Sequence, residues 1–418
     1  MINYLRLKLF SNIVLTAILL SVCFSLAAAK DGDTIKVRTV EFGASRDGWF
    51  TFPSAGTGFE KVLMNYKLKC PKGSPCGEWD YIAYVFVKQF FKFDTTYPTP
   101  ANPVITKTRV YYSDSTTVTE STEIMRYITP YGNGLNLGSG YVWVIDVTDF
   151  LPFLSDSVYI SAPNGQEDLE LTFDFILGTP PRNIINFRNM WNKNLTYDST
   201  FEENVAPMDI QFDDNEKMAR LKIVQTGHGF GGTVDNCAEF CKKESYILVN
   251  KDTLYKKFVW RECGDNFLYP QGGTWLLDRT NWCPGAEVTP YDYELSKYIQ
   301  PGKTASIDYG MEYYNEKWTS GSNTRPNWVL RSYLITYSDP NFELDASIED
   351  IISPSLKQEY LRLNPICNGA EIIIKNNGNR KLTSLDFEYG IVGGGKAAYH
   401  WTGNLDFIQT EKVKLPPF

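Results

Sequence analysis

Histidine is almost absent from this sequence, which contains only His228 and His400. Zinc and copper centres rely heavily on imidazole ligands, so we expect neither metal, nor any other cofactor. Lysine and arginine never occur in runs longer than two. Because affinity for a phosphate backbone needs clustered positive charge, we also expect no nucleic-acid partner.

The N-terminal apolar stretch, residues 13–26, is too short to span a membrane, which takes roughly 20 residues. Two basic residues precede it and alanines 27–29 follow it, which is the pattern of a signal peptide and its cleavage site. We therefore expect residues 1–29 to be removed and the protein to be secreted or periplasmic. A lipoprotein anchored through Cys23 is the alternative, but the bulky Val22 fits a lipobox poorly.

The mature chain is acidic and long enough for several domains. The net charge is −8, and loss of the two basic residues of the signal peptide makes it −10. About 390 mature residues are enough for two to four domains, each with its own core. We expect a monomer without a membrane span.

Strand-like runs dominate the chain. β-branched and aromatic residues alternate with turn-forming glycine, proline, asparagine and aspartate, which is typical of short strands. One short helix is expected within 349–360, broken at Pro354. Such spacing favours an all-β protein of sandwiches or jelly rolls. Examples of these runs are Tyr81–Val87, Tyr141–Ile145, Leu169–Phe175 and Trp328–Tyr337.

Two boundaries divide the mature chain. Gly178–Pro181 ends the first strand-rich block and Ser338–Pro340 ends the second. The last part contains a strand entering a turn, Ala370–Gly378, which resembles immunoglobulin-like accessory modules; few strands remain to close it, so a truncated module is expected. The predicted domains are 30–180, 181–340 and 341–418.

Six of the seven cysteines in the mature chain form three close pairs in sequence. An exported chain meets an oxidising compartment, where disulfides are favoured over metal sites. Cys367 is left over, and we expect it to be a buried free thiol. The expected disulfides are Cys70–Cys76, Cys237–Cys241 and Cys263–Cys283.

Four stretches resemble the peptide-N-glycosidase F family, whose members remove whole N-glycans from asparagine. They occur in family order and cover roughly residues 45–340. The six paired cysteines also match the three disulfides of that family. The stretches are Cys70–Asp80 with the strand after it, Arg126–Tyr131 with Ile145–Phe150, Gly227–His228 with Cys237–Cys241, and Asp278–Gly285.

This resemblance implies both a fold and an activity. The fold is two adjacent eight-stranded antiparallel jelly rolls with the active site in the cleft between them. The substrate is an N-linked glycoprotein or glycopeptide, whose linked asparagine becomes aspartate while the glycan leaves as a glycosylamine.

Two carboxylates are the candidate catalytic groups. Amide hydrolysis needs a base for the attacking water, and without a metal or activated nucleophile a carboxylate is the natural base. By resemblance this is Asp80, whose pKa the neighbouring Trp79 ring would raise by desolvation. Glu239 lies inside the tight Cys237–Cys241 ring, which would present it rigidly to the glycan core. The competing interpretations are a strand-end cap for Asp80 and a solvent-facing turn residue for Glu239.

Further candidates would bind the substrate. Arg279 offers a planar set of donors to sugar hydroxyls or an oxyanion, and Trp282 can stack on a pyranose. The alternatives are an Arg279–Asp278 ion pair, a Trp282 packed on the neighbouring disulfide, and a purely structural His228. The candidate substrate-binding residues are Trp79, His228, Arg279 and Trp282.

Three departures from the family pattern leave two functions open. Ala162–Pro163 stands where the family has a third carboxylate, with Glu167 and Asp168 as the nearest possible replacements. Tyr81 replaces an arginine and Thr226 replaces an aromatic residue. The chain is therefore either a metal-independent amidohydrolase or a non-catalytic glycan- or glycoprotein-binding relative.

Peptide mapping under non-reducing conditions should recover the three cysteine pairs as linked peptides and Cys367 as a free thiol. Loop entropy contributes about 3 kcal/mol for a 15-residue loop and less for shorter ones, so the two shortest bridges should act mainly through local rigidity. A bridge from Cys70 or Cys237 to a distant cysteine would contradict this pairing.

Overall fold

A computed structural model describes residues 30–99, 102–364 and 369–417; the expected signal peptide and Cys367 lie outside these ranges. Within them the chain is all-β, with antiparallel strands and three short 3-10 helices. No helix in the described part is long and apolar enough to cross a membrane. The 3-10 helices are Thr148–Phe153, Phe201–Asn204 and Gln358–Leu363.

The first sandwich packs two sheets around one core. Its strands are β1 Thr34–Val40, β2 Asp47–Thr51, β3 Phe59–Lys69, β4 Ile82–Thr99, β5 Asn102–Val110, β6 Val118–Ile128, β7 Tyr141–Asp146, β8 Ser157–Ser161 and β9 Asp168–Leu177. One sheet has the order β1-β9-β3-β7 and the other β6-β4-β8-β2, with β5 paired to β4. Burial alternates residue by residue along β9, so one face of its sheet is apolar and is covered by the other sheet.

The second sandwich repeats this arrangement. Its strands are β10 Arg182–Asn189, β11 Lys193–Thr196, β12 Met208–Gln211, β13 Met218–His228, β14 Lys243–Val249, β15 Asp252–Val259, β16 Ala286–Glu287, β17 Tyr291–Glu294, β18 Thr304–Met311 and β19 Asn327–Pro340. The sheets have the orders β10-β19-β13-β17 and β12-β18-β14-β15. β11 joins β19, whereas β16 pairs with β6 of the first sandwich. Without β5, β11 and β16, both sandwiches have the same strand order.

β19 is the strand through which the two sandwiches pack together. Tyr333, Ile335 and Tyr337 belong to the core of the first sandwich. Leu334, between them in sequence, belongs to the core of the second. Successive side chains of a strand point to opposite faces, so a strand covered on both faces is a continuous apolar run. This explains the run Trp328–Tyr337 in the sequence.

A buried ion pair lies at the same junction. Arg126 and Glu123, both on β6 and both 0% exposed, are joined by hydrogen bonds of 2.9 and 3.0 Å. Nη1 of Arg126 also donates to Thr226 Oγ1 at 2.8 Å and to the Val329 carbonyl at 2.7 Å, on β13 and β19. Breaking such a pair leaves an uncompensated buried charge, at a typical cost of about 3–5 kcal/mol. The ion pair therefore holds the sandwiches in one register.

The C-terminal module (residues 341–418) has its own small core. Its sheets are β20-β21-β24 and β22-β23. The helix expected within 349–360 is wrong over its first part, because this segment pairs with β21 as a strand; only the 3-10 turn at 358–363 is helical. A helix of that length is marginal without packing, whereas sheet pairing satisfies its backbone. The strands are β20 Ala346–Ser353, β21 Glu371–Asn376, β22 Leu382–Gly390, β23 Lys396–Leu405 and β24 Thr410–Lys414.

The three expected disulfides are confirmed, with Cα–Cα distances of 4.3, 4.9 and 5.5 Å. Two of them close short loops. The third, Cys263–Cys283, closes the long disulfide loop (residues 263–283), which leads directly into β16. Because β16 pairs with β6, the chain of the second sandwich crosses onto the first at this point.

Glu167 is a carboxylic acid enclosed in the first sandwich. It is 0% exposed, and neither carboxyl oxygen accepts a hydrogen bond in the described part of the chain. Burial raises its pKa from 4.5 to about 8, against the smaller opposing effects of the Asn164 amide and the Arg46 guanidinium. The folded protein therefore keeps a proton that the unfolded chain releases above pH 4.5.

We expect Glu167 to destabilise the fold as the pH rises from about 5 to 8, by about 1.4 kcal/mol per pH unit. In this pH range Glu167 ionises in the unfolded chain but stays protonated in the folded protein. Ionisation therefore stabilises only the unfolded state, and the free energy of unfolding falls. Glu167→Gln, neutral at every pH, should flatten the pH dependence of the unfolding free energy, measured with urea. Glu170→Gln, at a partly exposed site paired with Lys67 at 3.6 Å, is the control. Equal slopes for wild type and Glu167→Gln would contradict this account.

Candidate active site

Asp80 lies at the end of a loop that is held by a disulfide and by hydrogen bonds to Gln166. The Cys70–Cys76 disulfide closes the start of the loop, and Gln166 supports its end. Gly77 donates its backbone N–H to the Gln166 carbonyl at 3.0 Å, and the Trp79 N–H donates to the Gln166 side-chain oxygen at 3.4 Å. Since β4 begins two residues after Asp80, the aspartate is fixed at the entry of a strand.

The Asp80 carboxyl faces two polar groups. The Tyr131 hydroxyl and the Arg279 guanidinium lie near it, and both lower its pKa. Burial raises the pKa of Asp80, and these two contacts oppose the rise. Its neighbours in sequence, Trp79 and Tyr81, are 53% and 57% exposed and offer open aromatic surfaces.

Glu239 reaches the same place from the second sandwich. The Cys237–Cys241 bridge closes a tight ring around it. Its Oε1 lies 3.5 Å from Nε of Arg279. Burial raises the pKa of Glu239; the Arg279 charge opposes this and the Asp80 charge adds to it. The structure therefore brings the two candidate catalytic carboxylates together.

Arg279 connects these carboxylates from a fully buried position. Its Nη1 donates to the carbonyls of Thr274 at 3.1 Å and Leu277 at 2.7 Å. Its Nη2 donates to Thr274 Oγ1 at 2.9 Å and to the Tyr131 hydroxyl at 3.4 Å. The remaining nitrogen, Nε, faces Glu239. A guanidinium engaged in this way holds its neighbours in place.

Trp282 and His228 lie behind this arginine. Trp282 is 2% exposed, and its indole N–H donates to the Gly227 carbonyl at 2.8 Å. Its ring lies 5.3 Å from that of His228 and 4.8 Å from the Arg279 guanidinium, so it has no open face for a sugar. His228 Nε2 lies 2.9 Å from Thr226 Oγ1. Burial lowers the pKa of His228 to about 3, which keeps the imidazole neutral.

Some contacts of the site were not expected from the sequence. Asp278 does not pair with Arg279; its Oδ1 accepts the backbone N–H of Cys263 at 2.9 Å. Tyr131 is not among the candidate residues from the sequence, although it ends the second stretch that resembles the family, and this position is the available signal. Thr274 carried no signal, because it lies in an irregular loop far from Asp80 in sequence.

The three departures from the family pattern have different environments. Thr226 is fully buried and accepts the hydrogen bond from Arg126, so it belongs to the junction of the sandwiches. Tyr81 is exposed beside Asp80, with its N–H donated to Thr129 Oγ1 at 2.7 Å. Ala162 is fully buried in the first core.

Neither acid considered as a replacement joins the site. Glu167 lies in the first core, near Tyr66 and Tyr127. Asp168 accepts the Gly43 backbone N–H at 2.9 Å and lies 3.8 Å from a lysine. Neither is among the groups that shift the pKa of Asp80. Across the described ranges, no three His, Cys, Asp or Glu side chains are grouped to hold a metal ion.

Sequence comparison matches residues 196–335, most of the second sandwich, to the family model described as "Peptide-N-glycosidase F, C terminal". No curated protein sequence matches the chain.

Comparison with solved structures extends the likeness to both sandwiches. A recombinant N-glycanase F (PNGase F) is 25% identical, with a TM-score of 0.54 over 73% of this chain and 96% of its own. PNGase F of Flavobacterium meningosepticum, described as a glycosylasparaginase, is 24% identical, with the same TM-score and coverage. PNGF-II, at 16% identity and a TM-score of 0.52 over 73% of this chain and 65% of its own, shares the fold. The chain is therefore similar to the peptide-N-glycosidase F family across both sandwiches.

Proposed function

We propose that this protein is a metal-independent amidohydrolase that cleaves the amide between asparagine and the glycan of N-linked glycoproteins. The observation that carries the proposal is the meeting of Asp80 and Glu239 from the two sandwiches around Arg279. The solved relatives named N-glycanase and glycosylasparaginase support the same chemistry.

Asp80 acts as the general base. Its carboxylate takes a proton from water, and the oxygen bonds to the side-chain carbonyl carbon of the linked asparagine. The carbon–nitrogen bond then breaks, and the nitrogen leaves with a proton returned by Asp80. The products are aspartate and a glycosylamine. Burial, which raises the pKa of Asp80, makes its carboxylate a stronger base, and Tyr131 fixes its orientation.

The other groups bind or position. Glu239, held by its disulfide ring, accepts hydroxyl hydrogen bonds from the sugar next to the asparagine, and the exposed Trp79 ring offers it an apolar face. Arg279 is engaged within the protein, so we assign it the positioning of Tyr131 and Glu239. Trp282 and His228 support this guanidinium from behind. This replaces the direct substrate contacts expected of these three residues.

A second candidate function is glycan binding without catalysis. It is favoured by the position of the family's third carboxylate, where Ala162 is buried and no neighbouring acid takes its place. In that case Trp79, Tyr81 and Glu239 would form a binding surface.

We infer the finer architecture from strand order. Two sheets of four strands in the same order in each sandwich support two eight-stranded jelly rolls over 30–180 and 181–340. The three- and two-stranded sheets of the C-terminal module support an immunoglobulin-like accessory domain over 341–418. The three disulfides support export to an oxidising compartment, secreted or periplasmic.

Asp80→Asn should lower turnover by at least about 10²-fold, the lower range for loss of a general base. The fold and glycopeptide binding should persist, because the amide has the shape of the carboxylate. The measurement is mass spectrometry of a denatured glycoprotein, in which hydrolysis converts the linked asparagine to aspartate. Wild-type turnover in this variant would remove Asp80 from the mechanism.

Two further variants sharpen this test. Asp168→Asn makes the same chemical change outside the site and should keep full turnover. Glu239→Gln should mainly weaken glycopeptide binding, with a smaller loss of rate. If wild type and Asp80→Asn are both inactive while each retains glycopeptide on a column, the binding function is correct instead.

Turnover should be unchanged after exhaustive dialysis against a strong chelator. The reason is that the proposed base and positioning groups are side chains of the protein, and histidine is too scarce to supply a ligand set. Loss of hydrolysis on dialysis, with recovery on addition of zinc or copper, would show that the carboxylate mechanism is wrong.

A further inference from the structure

The C-terminal module contacts both sandwiches through the short 3-10 helix Gln358–Leu363. The side-chain oxygen of its first residue accepts the backbone N–H of Val142 on β7 at 2.6 Å. Near its end, Arg362 donates to the backbone carbonyls of Asp265 and Asn266, the latter at 3.3 Å. The helix therefore extends from the first sandwich to the long disulfide loop of the second.

Arg362 holds the backbone of this loop. The Asp265 side chain is 97% exposed, so its 3.5 Å contact with Arg362 adds little. Two successive carbonyls match the forked donors of a guanidinium, whose charge strengthens both hydrogen bonds. A lysine ammonium lacks this fork.

The segment that Arg362 binds, Asp265–Asn266, belongs to a hydrogen-bonded unit. Asn266 Nδ2 donates to the Pro284 carbonyl at 2.6 Å, and its Oδ1 accepts the Leu268 N–H at 3.0 Å. Gln271 Nε2 donates to the carbonyls of Leu268 at 2.8 Å and Pro284 at 2.9 Å. A shift of Asn266 therefore carries Gln271 with it.

The unit ends at the site. The backbone N–H of Tyr131 donates to Gln271 Oε1 at 3.1 Å, and the Tyr131 hydroxyl lies near the Asp80 carboxyl, whose pKa it lowers. Thr274, in the same loop, lies 3.3 Å from the Tyr131 hydroxyl. A continuous series of hydrogen bonds thus runs from Arg362 to Tyr131, which neighbours Asp80.

We propose that Arg362 is a positioning residue, which sets the orientation of Tyr131 and Asp80 through the long disulfide loop. This inference rests on the proposed function, since it takes Asp80 to act on substrate. Catalytic groups must be held within about 0.5 Å of their productive geometry, and an irregular loop needs external support to do so. The support comes from the C-terminal module, which lies outside the sequence stretches shared with the family.

Kinetics of two variants and a control test this role. Arg362→Ala should lower kcat by about 10- to 100-fold, the scale of a misplaced catalytic group, with a smaller change in KM. Arg362→Lys, which keeps the charge but not the fork, should fall between Arg362→Ala and wild type. The control is Arg380→Ala, in the same module, whose partner Glu343 is 70% exposed; it should match wild type.

The pH profile separates positioning from simple loss of stability. The nearby Tyr131 hydroxyl lowers the pKa of Asp80, so loosening Tyr131 should raise this pKa. In Arg362→Ala the acidic limb of kcat/KM should therefore move to higher pH, whereas a variant that is merely less folded keeps the limb in place. A lower kcat with an unmoved limb would overturn the positioning role.

Hydrogen exchange gives a readout independent of turnover. Amides of residues 264–282 should exchange faster in Arg362→Ala than in wild type or Arg380→Ala; unchanged exchange would overturn the proposal. If wild type does not hydrolyse the amide, the proposed function fails. The role of Arg362 is then decided by exchange together with glycopeptide affinity, and an Arg362→Ala variant with wild-type affinity would also overturn it.

Discussion

The site depends on the buried pair of Glu123 and Arg126, which holds one sandwich against the other. The Arg126 guanidinium donates four hydrogen bonds, two to Glu123 on its own strand and one each to β13 and β19. Such a pair contributes little net stability, yet it is costly to break, because a charge would remain in the interior. It therefore acts as a constraint on register. Asp80 and Glu239 come from different sandwiches, so their meeting requires this constraint.

At the site, the Arg279 guanidinium lowers the pKa of two partly buried acids, Asp80 and Glu239. Burial raises the pKa of both carboxyls, and Arg279 opposes the rise in each. Since the other donors of Arg279 are used within the protein, its position is determined by the fold and not by a substrate. This arrangement places two acids with raised pKa values at one place.

Much of this architecture could be predicted from the sequence, because its signals are local. Alternation along β9 and the close spacing of the cysteine pairs depend only on neighbouring residues. The helix expected within 349–360 failed where a partner strand captured the segment, since pairing with β21 is non-local. The role of Thr226 could not be predicted either. Because the family has an aromatic residue at this position, the threonine suggests an altered cleft. In the structure its hydroxyl instead accepts a hydrogen bond from Arg126 across the junction.

The sequence alone indicated the all-β fold, the three disulfides and the resemblance to the family, since strand alternation, cysteine pairs and short motifs survive in a linear pattern. The tertiary structure decided which groups meet. Tyr131 and Arg279 are far apart in sequence and join only because β16 crosses onto β6. It also decided that Trp282 is buried and that Glu167 lies in the core, because burial depends on how the sheets cover one another. Contact and burial are properties of the packed sandwiches, and no single segment contains them.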